Sequence, residues 1–180
     1  MLFPLDLLAL PAAPVARLAR PDDPALAKTA VEFSAFFAMQ VSRTTTGHRY
    51  GSTYELLADL AVLTPGSALP SRMHQRPKKA CFGNARAVVR ESRGRYLYAE
   101  GYAQGQWFPM HHGWVVRADD PTVVIDPTWD APEKCSYLGV VFDTAWLFGH
   151  NRGRQESVLD DWTCRFQTLQ HGLPTEALHH

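Results

Sequence analysis

A helix and a strand are encoded back to back in ACFGNARAVVRESRGRYLYAEGY (Ala80–Tyr102). The first half, Ala80–Arg90, favours a helix of about three turns, and Cys81 falls in its first turn. The second half, Tyr96–Tyr102, is rich in residues that favour strands. The stretch therefore predicts a helix that carries Cys81 and leads directly into a sheet.

Three more strands are predicted after this unit, at Trp114–Arg117, Thr122–Asp126 and Tyr137–Phe142. Residues 118–121 have the composition of a tight turn, which predicts that the first two of these strands form a hairpin. The expected fold class is α+β, with the Cys81 helix packed on an antiparallel sheet.

Helices are predicted on both sides of this core. Asp23 is a helix N-cap followed by Pro24 at the first helical position. Apolar residues then recur at the spacing of one helix face: Leu26, Ala30, Phe33, Phe37 and Val41. A capping box at Ser52–Glu55 opens a second helix to about Leu63. From Thr144 onward the chain is again predicted to be helical, with one apolar face made of Val158, Leu159, Trp162, Phe166 and Leu169.

The length of 180 residues fits one domain. Within it we expect a helical front (1–66), a catalytic-like core (71–143) and C-terminal helices (144–180). Eighteen Lys and Arg balance eighteen Asp and Glu, so the net charge is zero. A nucleic-acid-binding domain usually has a basic excess, and we therefore expect no nucleic-acid partner. The sequence is silent on oligomeric state.

The N-terminal stretch MLFPLDLLALPAAPVARLARP is apolar, but Pro4, Asp6, Pro11 and Pro14 interrupt it. It makes a poor export signal, and the chain has no run of about 18 apolar residues that would cross a membrane. We expect a cytoplasmic protein without a membrane partner. Three cysteines are an odd number, so at least one thiol is expected to be free.

Three residues form a candidate catalytic set: Cys81, His112 and Asp126. The start of a helix favours a thiolate, and Lys78 and Lys79 act in the same direction. In the predicted hairpin, His112 and Asp126 come to the same end of the sheet. A thiolate can attack a carbonyl, an imidazole can carry the proton, and a carboxylate can orient the imidazole.

The strings around these residues carry a family resemblance. They are CFGNA (Cys81–Ala85), HGW (His112–Trp114), VIDPTW (Val124–Trp129) and YLGVVF (Tyr137–Phe142). In this order they resemble papain-like cysteine enzymes, and especially small bacterial and phage-type members of the transglutaminase-like branch. Arylamine N-acetyltransferases share the triad order, but their arginine-glycine-glycine lead into the cysteine is absent. The resemblance spans about Gln75–Phe142.

The resemblance implies a thiol hydrolase or acyltransferase that uses no cofactor. Cys81 would form a thioester with a protein, peptide or amide substrate, and water or an amine would release it. Hydrolysis of a peptide or a glutamine-like amide is the first choice. Papain-like enzymes place a Gln before the nucleophile to bind the oxyanion, and Gln75 stands six residues upstream of Cys81. Transglutaminase-like members often use an aromatic residue instead.

Other roles stay open at this point. Cys81 fits a buried structural thiol, His111 is an alternative base, and Asp126 fits a turn cap before Pro127. The cleft candidates are Trp114, Trp129, Glu100 and Tyr102. The two tryptophans also fit plain core positions. A zinc site would use His111, His112, Cys135 and Asp126, but no motif with metal-ligand spacing is present, and we expect no metal. A non-enzymatic binding or assembly module on the same fold is the remaining alternative.

Overall fold

A computed structural model describes residues 17–40, 47–106, 108–150, 157–161 and 164–179. These residues form a mixed α+β fold around a six-stranded sheet. The strands are β1 (Arg17–Leu18), β2 (Val62–Pro65), β3 (Tyr96–Gln104), β4 (Met110–Arg117), β5 (Val124–Ile125) and β6 (Ser136–Phe142). The helices are α1 (Pro24–Gln40), α2 (Thr53–Leu60), α3 (Cys81–Glu91), α4 (Thr144–His150) and α5 (Gln167–His171), with short 3₁₀ turns at Pro132–Lys134 and Thr175–Ala177.

The strands lie in the order β1-β2-β6-β3-β4-β5. Only the short edge pair, β1 with β2, is parallel, and the other neighbours are antiparallel. The central strand β3 places Gly101 between His112 of β4 and Gly139 of β6. The predicted antiparallel sheet is thus present, with a parallel edge added to it.

The two faces of the sheet carry different cores. One face packs against the helices, and its buried side chains include Phe33, Leu57 and Val115. The other face holds a smaller cluster around Trp114 and Tyr137. Helix α3 packs on β3 and β4, as the sequence predicts. Its first residue, Cys81, therefore lies beside the middle of the sheet.

The predicted N-terminal caps of α1 and α2 are confirmed. Asp23 Oδ1 accepts hydrogen bonds from the backbone N–H groups of Ala25 and Leu26. Ser52 Oγ accepts one from Glu55 N–H, and the Glu55 carboxylate accepts one from Gly51 N–H. The predicted apolar face of α1 is buried at Leu26, Ala30, Phe33 and Phe37, and Val41 lies outside the described residues.

The front of the chain is not helical throughout, because the second helix ends at Leu60 instead of Leu63. Ala61 adopts an extended backbone, and Val62–Pro65 pairs with β6 and β1. Leu63 is fully buried in this pairing. The apolar residues of α2 continue without a break into β2, so the sequence pattern does not indicate where the helix ends and the strand begins.

Two of the predicted strands have different bounds. Strand β4 begins at Met110, so that His112 lies within the sheet and not at the head of a strand. Strand β5 contains only Val124 and Ile125, because the side chain of Asp120 ties Thr122 into the preceding turn. Asp126 consequently comes directly after the last strand residue.

The predicted helical face in the C-terminal part is wrong. Val158 and Leu159 are buried in a bend, and Phe166 precedes α5 with a left-handed backbone. Trp162 lies outside the described residues, and Leu169 is on α5. No helix in the described ranges is both long enough and apolar enough to cross a membrane.

Candidate active site

Cys81 is the first residue of α3 and is partly exposed. The residue before it, Ala80, is the N-cap and accepts a hydrogen bond from Asn84 N–H with its backbone oxygen. The first backbone N–H groups of a helix have no partner within that helix, and they favour negative charge. The Cys81 N–H is therefore a candidate donor to an oxyanion.

Gly113 lets the start of α3 approach the sheet closely. A Cβ atom at this position would lie 2.8 Å from Phe82 Cδ1 and 3.2 Å from Phe82 Cα. Because the second of these atoms is backbone, a larger residue would push the first turn of α3 away from β4. The glycine that follows His112 therefore helps to bring Cys81 to the imidazole.

The side chains of Cys81, His112 and Asp126 meet at this point. His112 Nε2 lies 2.8 Å from Asp126 Oδ2, and both side chains are buried. Asp126 leaves the other ring nitrogen, Nδ1, unoccupied, and the Cys81 side chain lies near enough to the imidazole to raise the pKa of His112. The structure thus brings together the three residues that the sequence singled out.

The balance of forces on His112 favours its protonated form. Burial lowers its pKa, but the hydrogen bonds and charges of Asp126 and Cys81 outweigh burial and raise the pKa to about 9. An ordinary histidine titrates near 6.5. His112 therefore holds a proton at neutral pH. The interaction of protonated His112 with Asp126 contributes its full stabilisation of the fold below about pH 6.5. The stabilisation is lost as the pH rises through about 9.

Asp126 is itself fixed by three further donors. Its Oδ1 atom accepts hydrogen bonds from the backbone N–H groups of Thr128 (2.8 Å) and Trp129 (3.3 Å). The Tyr137 hydroxyl donates to Oδ2 at 3.0 Å. No local motif in the sequence indicates this role of Tyr137, since its partner lies 11 residues away on another segment.

Asn84 ties the first turn of α3 to the loop after Asp126. Its side-chain amide donates to the Pro77 backbone oxygen (2.7 Å) and to Thr128 Oγ1 (3.0 Å). The residue is buried. Since Cys81 lies one turn away on the same helix, Asn84 fixes the distance between the Cys81 turn and the Asp126 loop. No sequence motif indicates this role, because Thr128 lies 44 residues away from Asn84.

The two tryptophans among the cleft candidates have different surroundings. The Trp129 ring centroid lies 4.5 Å from that of His112, and Trp129 lines the cavity beside Cys81. Trp114 is buried on the sheet and packs against Tyr137, with ring centroids 5.1 Å apart. Trp129 therefore shields the imidazole at the site, and Trp114 supports it from the core.

The prediction that Glu100 lines a cleft is wrong, because its side chain is fully buried. The carboxylate is surrounded by five polar groups: Tyr98 Oη, His111 Nε2, Ser157 Oγ, Val158 N and Leu159 N. Burial raises its pKa, but the hydrogen bond and charge of His111, with the other hydrogen bonds, lower the pKa below its ordinary value. Glu100 anchors the bend at residues 157–159 to the sheet.

Tyr102 is likewise absent from the cavity wall. Its ring packs in an aromatic cluster with Phe37 (ring centroids 5.4 Å apart), Tyr54 (5.0 Å) and His111 (5.5 Å). His111, the alternative base, contacts Glu100 and lies on the opposite side of β4 from His112. The structure therefore brings His112, and not His111, to Cys81 and Asp126.

Gln75 is absent from the wall of the cavity at Cys81, and its side chain lies in a separate groove with Arg72 and Arg95. Its amide donates to Asp130 Oδ1 at 2.6 Å. The predicted oxyanion donor is therefore engaged by Asp130, and the Cys81 backbone N–H is the donor at the start of α3.

A cavity of about 740 Å³ opens beside Cys81 and His112. Its wall combines apolar residues with three lysines: Phe108, Met110, Trp129, Lys78, Lys79 and Lys134. Cys135 also lines it, and burial raises the pKa of the Cys135 thiol. Across the described part of the chain, no three His, Cys, Asp or Glu side chains are grouped as metal ligands would be.

No protein-family model, curated protein or solved structure matches the chain.

Proposed function

We propose that the protein is a cysteine-dependent acyl-transfer enzyme that hydrolyses a peptide or glutamine-like amide, on a papain-like core of the transglutaminase-like branch. The observation that carries the proposal is the connected set Asp126–His112–Cys81 at the wall of a cavity large enough for a side chain or short peptide. Buried, charge-coupled groups at a cavity are a frequent sign of catalysis.

In this proposal the Cys81 thiolate attacks the carbonyl carbon of the substrate, and the C–S bond forms as the carbonyl π electrons move to oxygen. The Cys81 backbone N–H donates to this oxyanion. As the C–N bond breaks, the His112 imidazolium gives its proton to the leaving amine, which leaves a thioester on Cys81.

Release of the acyl group uses the same imidazole. His112, now neutral, takes a proton from a water molecule, and the resulting hydroxide oxygen attacks the thioester carbon. The C–S bond breaks, the acid leaves, and the thiolate–imidazolium pair is restored. Asp126 keeps Nε2 protonated throughout, so that Nδ1 remains the nitrogen that exchanges protons at Cys81.

A substrate panel tests the proposal and the choice of acceptor. Peptides with and without glutamine are incubated with the protein, alone and with methylamine, and the products are identified by mass spectrometry. We expect acid products that disappear in Cys81→Ala, and a minor share of methylamide. A dominant methylamide product would assign the acyltransferase reaction instead. Turnover that persists in Cys81→Ala would contradict a Cys81 thioester.

A further inference from the structure

We infer that the acyl donor of this enzyme carries a carboxylate beside an apolar group, and that Lys79 and Lys134 bind the carboxylate. The inference rests on the proposed function and specifies its substrate class. It begins from the charges on the cavity wall, which carries three lysines, Lys78, Lys79 and Lys134, and a single carboxylate, Asp130.

Asp130 is already engaged by other side chains. Lys78 Nζ lies 2.5 Å from its Oδ2, and Gln75 Nε2 lies 2.6 Å from its Oδ1. For Lys79 and Lys134, no ion pair is found within the described ranges. The cavity therefore has two ammonium groups whose charge no residue of its wall balances, and an anionic ligand would complement them.

The backbone at Lys79 restricts what can replace it. Lys79 lies two residues before Cys81, and its φ of 65° is in the left-handed region, as is that of Ala131 (51°) on the same wall. A substitution at Lys79 must therefore tolerate this conformation, as Gly and Asn do.

The same wall also carries apolar residues. Phe108 and Met110 are large hydrophobic residues that remain 65% and 41% exposed, and Trp129 lines the cavity as well. A ligand with an apolar group would cover this surface. The lysines and the apolar residues of the wall together fit an acyl donor that carries both a carboxylate and an apolar group.

Two alkylating reagents that differ in charge test the cationic part of the cavity without a substrate. Iodoacetate and iodoacetamide react with Cys81, and their rates are followed on the Cys81 peptide by mass spectrometry. We compare the wild type with the double variant Lys79→Asn/Lys134→Gln, in which Asn is tolerated in a left-handed backbone. The lysine Lys28 on α1 is absent from the cavity wall, and Lys28→Gln is the control.

We expect the iodoacetate-to-iodoacetamide rate ratio to fall by a factor of about 10 in the double variant and to stay unchanged in Lys28→Gln. The iodoacetamide rate of each protein reports its share of Cys81 thiolate, to which Lys79 contributes, and the ratio removes this share from the comparison because both reagents react with the same thiolate. A ratio in the double variant within about twofold of the wild type would overturn the inference. Slow iodoacetamide reaction of every protein, no faster than a free thiol at pH 6, would instead contradict the proposed function.

Lysines bind carboxylate and phosphate oxygens alike, so a protection experiment distinguishes these two anions. Glutarate, glutaramide and inorganic phosphate are added in turn before iodoacetamide, at equal ionic strength. We expect glutarate alone to slow the alkylation of Cys81, and the double variant to lose this protection. Protection by phosphate alone, by glutaramide as well as glutarate, or by none of the three would overturn the assignment of a carboxylate.

Discussion

Replacing Asp126 by Asn is expected to lower kcat/KM by a factor of about 10² to 10⁴ while the protein remains folded. The neutral amide removes the carboxylate charge that opposes burial at His112, so the pKa of His112 falls. A neutral imidazole cannot hold a thiolate at Cys81 or protonate the leaving amine. The amide N–H₂ group also competes with the N–H of His112 and the hydroxyl of Tyr137 for the same position.

The matched control is Asp130→Asn, which changes a carboxylate on the same cavity wall that contacts neither Cys81 nor His112. Asp130 is exposed and bonded to Lys78 and Gln75. An exposed ion pair contributes about 1 kcal/mol or less to the free energy of folding. We therefore expect its removal to change kcat/KM by at most a few-fold. Equal effects of the two substitutions would show that Asp126 does not orient His112.

Replacing Glu100 by Ala is expected to lower the free energy of unfolding by about 3 to 5 kcal/mol. The substitution leaves five polar groups facing an empty space in the core, among them the N–H groups of Val158 and Leu159. Domains of this size are stable by only about 5 to 15 kcal/mol, so the variant should unfold at a much lower urea concentration. Equilibrium urea unfolding measures the effect.

Glu91→Gln is the matched surface control, because Glu91 pairs with Arg76 and is largely exposed. We expect it to change stability by less than about 1 kcal/mol. The pKa of Glu100 is lowered in the fold, so its contribution is present above the ordinary glutamate range and is lost as the pH falls through the lowered pKa. A Glu100→Ala protein as stable as Glu91→Gln would contradict the anchoring role.

The parts of the fold that local chemistry determines were predictable from the sequence. Asp23 and Ser52 begin helices because their side chains satisfy backbone N–H groups a few residues away. The helix of Cys81 and the hairpin that carries Asp126 follow from residue type and spacing in the same way. Their adjacency predicted that His112 and Asp126 would meet, and the structure finds them in contact, with His112 within β4 and Asp126 directly after β5.

The predictions that failed concern residues whose structural partners lie far away along the chain. Val62–Pro65 becomes a strand because β6, more than 70 residues later, pairs with it. Glu100 is buried because residues 157–159 bring hydrogen-bond donors to its carboxylate. The alternation of side chains along β3 predicts which face of the sheet Glu100 lies on, but not which distant residues cover that face. Gln75 points to Asp130, 55 residues away, and not to Cys81.

The pH dependence of Cys81 alkylation by iodoacetamide, in the wild type and in His112→Ala, tests the Cys81–His112 pair most directly. Free thiols lose their reactivity below a pKa of about 8.5, and Cys135 is slowed further because burial raises its pKa. We predict that Cys81 in the wild type still reacts rapidly at pH 6, and that His112→Ala abolishes this reactivity. A wild-type Cys81 that reacts at pH 6 no faster than a free thiol, or equally fast with and without His112, would contradict the thiolate–imidazolium pair.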